Sequence, residues 1–339
     1  MKVNSTDREK WKGVHITKRQ FYLQQKLTVM HPNLFRSLTA IRRERIHCLN
    51  EQKGSAILVL APSGSGKTHL RNFLKRRSPD RITDVLTEIP VIAFDVPTSA
   101  TARSMCEALL SAMGEPVIGR GQSTLLLDRI LTLLPRIGTE LIIIDNVQDI
   151  PEKRREKGIL EIGGFIRRLI DETSCLVLLL GTPAAREIIT ANSQLRRRTS
   201  RLLEIDYFYF GTESEKSAFA RFLYEVDNLL PLGETSFLHK SETAQRLHHA
   251  TFGIPSYLFQ LLSEAIEESV SEDREALTNE DLAKAYMKVF ADSSKLRNPF
   301  TDGINRPLTG EGEPFYRWFD ESNPSLRAPS KTEGLIEGK

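Results

Sequence analysis

The sequence predicts an α/β core, a parallel five-stranded sheet covered on both faces by helices, followed by a small all-helical lid. Three observations carry this expectation. Short apolar runs alternate with amphipathic segments as far as about residue 210. The first of those runs ends in a Gly/Ser-rich turn that opens a helix. Beyond residue 210 only helical periodicity remains.

Taken in order, residues 1–33 read as a basic, irregular or partly helical arm. Residues 34–51 place Leu34, Leu38, Ile41 and Ile46 at helical spacing. The run SAILVL at 55–60 is the first strand, and a helix follows its turn through about residue 75. Strands are expected at 90–96, 141–145 (LIIID), 175–180 (CLVLLL) and 202–208. Helices fall between them at 101–113, 123–134, 159–170 and 183–191. The core is therefore 34–210. The lid is 211–292, with helices at 214–230, 241–250, 255–270 and 279–290. From residue 293 to 339, Pro, Gly and charged residues predict a flexible, partner-binding tail. Phe300, Phe315, Tyr316, Trp318 and Phe319 are its spaced aromatic anchors.

Composition bounds the class. Of 339 residues, 40% are hydrophobic and 27% charged, which suits a globular chain with a sizeable core. No apolar run approaches the roughly 18 residues of a membrane span, so no membrane partner is expected. The polar, charged N-terminus does not read as a secretory signal. Cys48, Cys106 and Cys175 are odd in number and far apart, which predicts reduced thiols and a cytoplasmic protein. Net charge is +3, yet residues 1–47 hold eleven Lys/Arg against three Asp/Glu. That asymmetry has two readings, a nucleic-acid partner or a solvated basic helix face.

The strongest motif is Ala61-Pro62-Ser63-Gly64-Ser65-Gly66-Lys67-Thr68, followed by His69. It fits G-x-x-x-x-G-K-[ST] except that Ala61 stands at the first Gly. Gly64 and Gly66 let the backbone curl so that its N–H groups face phosphate oxygens, and the next helix points its positive end at the anion. Lys67 then reaches the β/γ-phosphates, and the Thr68 hydroxyl ligates Mg²⁺. ATP with Mg²⁺ is the expected cofactor. The alternative is a plain Gly/Ser turn.

Asp145 closes the third expected strand, where a carboxylate can hold the water shell of Mg²⁺. Its alternative is a helix-capping acid. Asn146 follows where many such ATPases carry a Glu, and Asn cannot accept a proton. Hydrolysis is therefore expected to be slow, or to use another group such as Asp149. Thr182, at the end of the fourth strand, is the candidate sensor of the γ-phosphate. With Pro183 next, it is equally a helix N-cap. Arg196, Arg197, Arg198 and Arg201 cluster ahead of the fifth strand. One of them can reach a neighbouring subunit's nucleotide; the alternatives are a solvated charge run or a DNA-phosphate patch.

With these motifs in place the chain resembles the TniB/TnsC family of transposition ATPases, a branch of the AAA+ proteins, over about residues 35–300. The resemblance rests on APSGSGKT, IPVIAFDVPTSATARSMCEALLSAMGEP, LIIIDNVQDI, LLLGTPAAREII and NSQLRRRTSR, and continues in LLPLGETSFL, ATFGIPSYLFQLL and LTNEDLAKAY. It implies a P-loop NTPase AAA+ core and helical lid. It implies ATP-driven oligomerisation on double-stranded DNA, as a ring or helical filament. It also implies a bridge between a TniQ-like target selector and a DDE transposase. Lys67, Thr68, Asp145 and Thr182 match its motif positions, and its arginine falls on Arg198. Asn146 departs from the family pattern, and Ser256 stands where a lid arginine is expected.

If the chain coats DNA of many sequences, phosphate contacts are expected to dominate. Thr98, Thr101, Arg103 and Arg120 are the DNA-binding candidates; for Arg103 the alternative is a solvated residue in a helix's first turn. Two other classes compete: a helicase-loader-like replication ATPase, which shares the core, and a small-molecule kinase. The long lid and the absence of an evident acceptor site speak against the kinase.

Overall fold

The computed structural model of the chain describes residues 6–25, 29, 32–83, 87–116, 123–150, 156–304 and 306–316. The chain divides into two compact units. One is residues 30–206. The other joins residues 1–29 to residues 207–339.

The 30–206 unit is built on strands β1 (Ser55–Leu60), β4 (Val91–Asp95), β5 (Leu141–Asp145), β6 (Leu176–Gly181) and β7 (Thr199–Glu204). They form one parallel sheet in the order β4-β5-β6-β1-β7. A small antiparallel pair, β2 (Arg81–Ile82) and β3 (Thr87–Glu88), stands apart from it. β5 and β6 are buried at every position, as expected of parallel strands covered on both faces.

The two-residue pleat period sorts the side chains. Ala56, Leu58, Ile142, Ile144, Val177 and Leu179 face one side. There they pack against α5 (Ala102–Ala112), α6 (Ser123–Arg136) and α7 (Glu156–Asp171). Ile57, Val59, Leu141, Ile143, Leu178 and Leu180 face the other side, against α3 (Pro32–Glu51) and α4 (Lys67–Arg77). In α3 the contact residues Leu34, Ile41 and Cys48 recur every seventh position, the stripe of an amphipathic helix.

Several boundaries differ from expectation. The last strand is Thr199–Glu204, six residues that include Arg201, not 202–208. It lies at the sheet edge with most positions exposed, so charge is tolerated there and the apolar cue moves past its end. The helix expected over 183–191 is a 3₁₀ turn, Pro183–Ala185, followed by α8 (Arg186–Thr190). A further short helix, α9 (Ser193–Arg198), carries three of the clustered arginines, and Asn192 caps it by accepting from the Leu195 N–H.

The second unit holds α10 (Glu213–Leu229), α11 (Ser241–Thr251), α12 (Pro255–Ser271) and α13 (Asn279–Val289) around their own apolar core. Capping boxes start α10 at Thr212/Glu215 and α13 at Thr278/Asp281. Between α11 and α12 the backbone is left-handed at Phe252 and Gly253. A Cβ on Gly253 would sit 2.0 Å from the Phe208 carbonyl oxygen, so only glycine fits.

The N-terminal residues correct the expectation of a separate arm. α1 (Thr6–Glu9) and α2 (Ile16–Gln25) belong to this helical unit. Arg19, 1% exposed, donates to both carboxylate oxygens of Glu275 at 2.8 Å. It also donates to the carbonyls of Val14, Pro231 and Trp11. One charge of the basic N-terminal region is therefore consumed in the fold. The expected flexible tail changes likewise. Phe300, Leu308 and Phe315 are buried, and Phe315 packs against Phe252, Tyr257 and Phe290. Tyr316 is exposed, and Trp318 and Phe319 lie outside the described residues.

Arg19→Ala strands the buried side of this network, and the expected loss is about 3–5 kcal/mol of unfolding free energy, read by chemical denaturation. Arg19 also holds the Glu275 carboxyl below the usual glutamate range, chiefly through its hydrogen bonds. The folded value lies below the unfolded one, so the stabilisation is complete above about pH 4.3 and fades as pH falls toward the folded value. A denaturation series from pH 7 to pH 3 should show a shallower acid loss in Arg19→Ala than in the wild type.

Candidate functional site

In a parallel sheet the crevice for a ligand lies beyond the carboxyl ends of the strands, where strand order reverses. Here β1 sits between β6 and β7, and its carboxyl end runs into residues 61–66. The Ala61 N–H donates to the Gly181 carbonyl at 2.8 Å, which ties the start of the loop to the end of β6. The loop then turns on itself. The Pro62 carbonyl accepts from the Ser65 N–H at 3.3 Å and the Ser65 hydroxyl at 2.6 Å.

Gly64 and Gly66 have φ of 75° and 111°, the region that side chains disfavour, so glycine is favoured at both. Gly66 is the N-cap of α4 and offers no side chain to close it. Among the described residues the backbone N–H groups of Gly64, Gly66, Lys67 and Thr68 have no acceptor. Together with the positive end of an 11-residue helix they form a cradle that fits a phosphate chain.

Lys67 is half-buried, and its ammonium donates to the carbonyls of Ala61 at 2.5 Å and Pro62 at 3.1 Å. Burial lowers its pKa, while the charge of Asp145 pulls the other way. Thr68 is exposed at the first turn of α4. Next to it His69 is half-buried with its Nε2 buried and without a partner, and burial, then Arg76, lowers its pKa. Ser63 is exposed on the loop.

The acidic side of the site comes from the neighbouring strands. Asp145 ends β5 and is buried; Asp95 ends β4 directly opposite it in register. One Asp145 oxygen accepts the Asn146 N–H at 2.9 Å. The other lies 3.4 Å from the Arg71 guanidinium. The same Arg71 nitrogen donates to both oxygens of Asp95, at 2.9 and 3.0 Å. A cationic group thus already stands between two strand-end carboxylates, and this donor set, with Thr68 on the adjacent helix, suits a hard divalent cation.

Asn146 adopts the left-handed region, φ 58°, which asparagine tolerates better than most residues. Its side-chain amide donates to Asp95 at 3.2 Å and accepts from Gln148 at 3.4 Å. Gln148 also donates to Asp149 at 3.0 Å and accepts the Thr182 N–H at 3.1 Å. Thr182 is the N-cap of the 3₁₀ turn, yet its side chain makes no capping bond. The ends of β4, β5 and β6 are joined by this one chain of polar contacts.

Asp95, Arg71 and Gln148 are participants that the motifs did not single out. Two had a legible signal. The run VIAFD ends on an acid as LIIID does, and Arg71 follows Lys67 by one helical turn.

The remaining candidates lie elsewhere in the same unit. Arg198 grips Asp171, the last residue of α7, through two of its nitrogens, and donates to the Gln194 carbonyl at 3.0 Å. Arg196, Arg197 and Arg201 are exposed, with no side-chain partner among the described residues. Thr98 is exposed in a turn after β4. The Thr101 hydroxyl is engaged in capping α5, and Arg103 pairs with Glu107 at 2.7 Å. Arg120 lies outside the described residues. No helix among the described residues is long and apolar enough to cross a membrane.

No curated protein matches the sequence. Solved structures do. The Aeropyrum pernix ORC2 protein in its ADPNP–ADP complexes is similar with a TM-score of 0.58, at 13% identity over 79% of this chain and 71% of that one. Cdc6p from Pyrobaculum aerophilum gives 0.55 at 13% identity, with the same coverage of 79% and 71%. The Aeropyrum pernix ORC1 protein in complex with DNA gives 0.51 at 14% identity over 81% and 70%. These likenesses establish the fold, that of the AAA+ P-loop ATPases with a helical C-terminal region. Residues 19–204 match the family described as bacterial TniB protein, more than half of the chain. With its phosphate loop, strand-end acids and parallel sheet all inside or bordering that match, the chain belongs to the TniB family.

Proposed function

We propose that this protein is an ATP-dependent, DNA-binding regulator of transposition. In this reading it assembles on double-stranded DNA as a ring or helical filament and bridges a TniQ-like target selector to a DDE transposase. The observation that carries the reading is the phosphate cradle, whose Lys67 feels the charge of Asp145, in a TniB-family chain. The similar ORC2 structure holds adenine nucleotides and the similar ORC1 structure holds DNA, and both favour the same ligands here.

ATP with Mg²⁺ supplies, when bound, a triphosphate whose charge can be read by residues of two subunits. The loop N–H groups bind its phosphate oxygens, and Lys67 turns from the Ala61 and Pro62 carbonyls toward them. The Thr68 hydroxyl and Asp145 hold the metal. Thr182, which follows β6, senses the terminal phosphate in this reading. Asn146 cannot accept a proton, so binding, which favours the assembled form, matters more than turnover. Thr98, Thr101, Arg103 and Arg120 are proposed phosphate contacts on DNA, and residues 317–339 are proposed partner contacts.

Lys67→Ala should abolish detectable binding of a fluorescent ATP analogue. It should also abolish the large oligomers that the wild type forms with ATP and duplex DNA in sedimentation. A wild type that stays monomeric with ATP and duplex DNA defeats the proposal. In a pull-down, a replicative helicase in place of a TniQ-like protein or transposase would favour a helicase-loader-like ATPase.

The arginine cluster gives a second test. Arg198 holds the family's position but is gripped by Asp171, so Asp171→Asn frees it. If Arg198 reaches the neighbouring subunit, Arg198→Ala lowers ATP-dependent assembly at least tenfold, Asp171→Asn does not, and monomer affinity for nucleotide is unchanged in both. Loss of assembly in Arg196→Ala or Arg197→Ala, with Arg198→Ala unaffected, moves the role to those residues.

A further inference from the structure

We infer that Asp95 is a positioning residue of the nucleotide site: it draws the Arg71 guanidinium off Asp145, leaving that carboxylate to serve the metal. The inference rests on the nucleotide reading above.

Three facts of geometry set up a competition for one cation. β4 and β5 pair in register, so Asp95 and Asp145 end neighbouring strands side by side. Arg71 rises from α4 one turn beyond Lys67, and a single nitrogen of its guanidinium faces both acids. The contacts are unequal, 2.9 and 3.0 Å to Asp95 against 3.4 Å to Asp145. The first two are good charge-assisted hydrogen bonds, and the third is at the weak limit.

Burial makes the outcome matter. The Asp145 side chain is 7% exposed and that of Asp95 is 54% exposed. An ion pair at the more buried acid is screened less, so Arg71 released from Asp95 would settle on Asp145. Asp145 has one oxygen already accepting the Asn146 N–H, so the oxygen facing Arg71 is the one left for a metal. A guanidinium seated there both occupies the lone pairs and adds a fixed positive charge beside an incoming divalent cation. Asn146 supports the same arrangement, since its amide donates to Asp95 and orients that carboxylate. Lys67 is the other cation near Asp145, and its hydrogen bonds go to the loop carbonyls. Asp95 thus resembles the outer-sphere partners that orient a metal's direct ligand, with the difference that it acts by removing a competitor.

The test measures binding, not turnover. A fluorescent ATP analogue is titrated into the full chain with Mg²⁺ and with EDTA, for wild type, Asp95→Asn, Arg71→Ala and the double variant. The wild type binds more tightly with Mg²⁺. Asp95→Asn loses about tenfold of that magnesium gain while its affinity in EDTA stays within about twofold, which also shows that it folds. Arg71→Ala keeps the gain, and the double variant recovers it because the competitor is gone. Asp95→Asn with the full wild-type gain overturns the inference. So does a double variant as poor as Asp95→Asn, which would make Asp95 a partner of the metal itself. A wild type that binds nucleotide with no magnesium gain overturns it as well and leaves the nucleotide reading standing. A wild type that binds in neither buffer removes the nucleotide reading, and this inference with it.

Discussion

The register of β4 against β5 is the constraint on which the site depends. Parallel pairing carries Val91 to Leu141 and, four residues on, Asp95 to Asp145, so two apolar runs of equal length deliver two carboxylates to one point. Adjacent negative charges at a sheet end are unfavourable unless a cation stands by them. Arg71 and Lys67, one helical turn apart on α4, supply that charge. α4 can do so because its start is fixed by the glycine turn after β1, and β1 is fixed between β6 and β7. Each group is placed by backbone hydrogen bonding, which holds position more tightly than loop packing does.

The same logic explains why the polar chain from Asp95 to Thr182 spans three strand ends. Asn146 bends into the left-handed region at the end of β5, and this turns its amide back toward Asp95. Val147 then re-enters the sheet hydrogen bonding by donating to the Leu180 carbonyl, which brings Gln148 to the Thr182 N–H. An asparagine in place of a glutamate thus changes more than proton acceptance. It makes position 146 a two-way hydrogen-bonding link between neighbouring strands. The end of β4 is thereby linked to the end of β6 through three side chains, Asp95, Asn146 and Gln148.

The helical unit follows a different rule. Its core is closed by segments far apart in sequence, with Arg19 from the N-terminal region meeting Glu275 and the carbonyls of Trp11, Val14 and Pro231. Phe315 closes another side against Phe252, Tyr257 and Phe290. Isolated from these partners, both stretches have the polar, basic or Pro/Gly-rich composition of solvated chain. Buried in this core, the Arg19 charge is satisfied within the unit. Local composition reported the sequence neighbourhood, whereas burial depends on partners distant in sequence, for Arg19 more than two hundred residues away.

Periodicity and turn chemistry are local properties, and they determined what is local here. The apolar runs of β1, β5 and β6, the Gly64–Gly66 turn with Lys67 and Thr68, the acid ending β5 and helices α10 to α13 are all legible in the residues themselves. The edge strand β7 was misplaced because exposure on both faces erases the alternation that marks a strand. The pairing of Asp95 with Asp145, the choice of Arg71 as their shared cation and of Asp171 as the partner of Arg198 came only from tertiary structure. So did the burial of Arg19 and Phe315. Strand order and register decide which distant residues meet, and no spacing along the chain encodes that meeting.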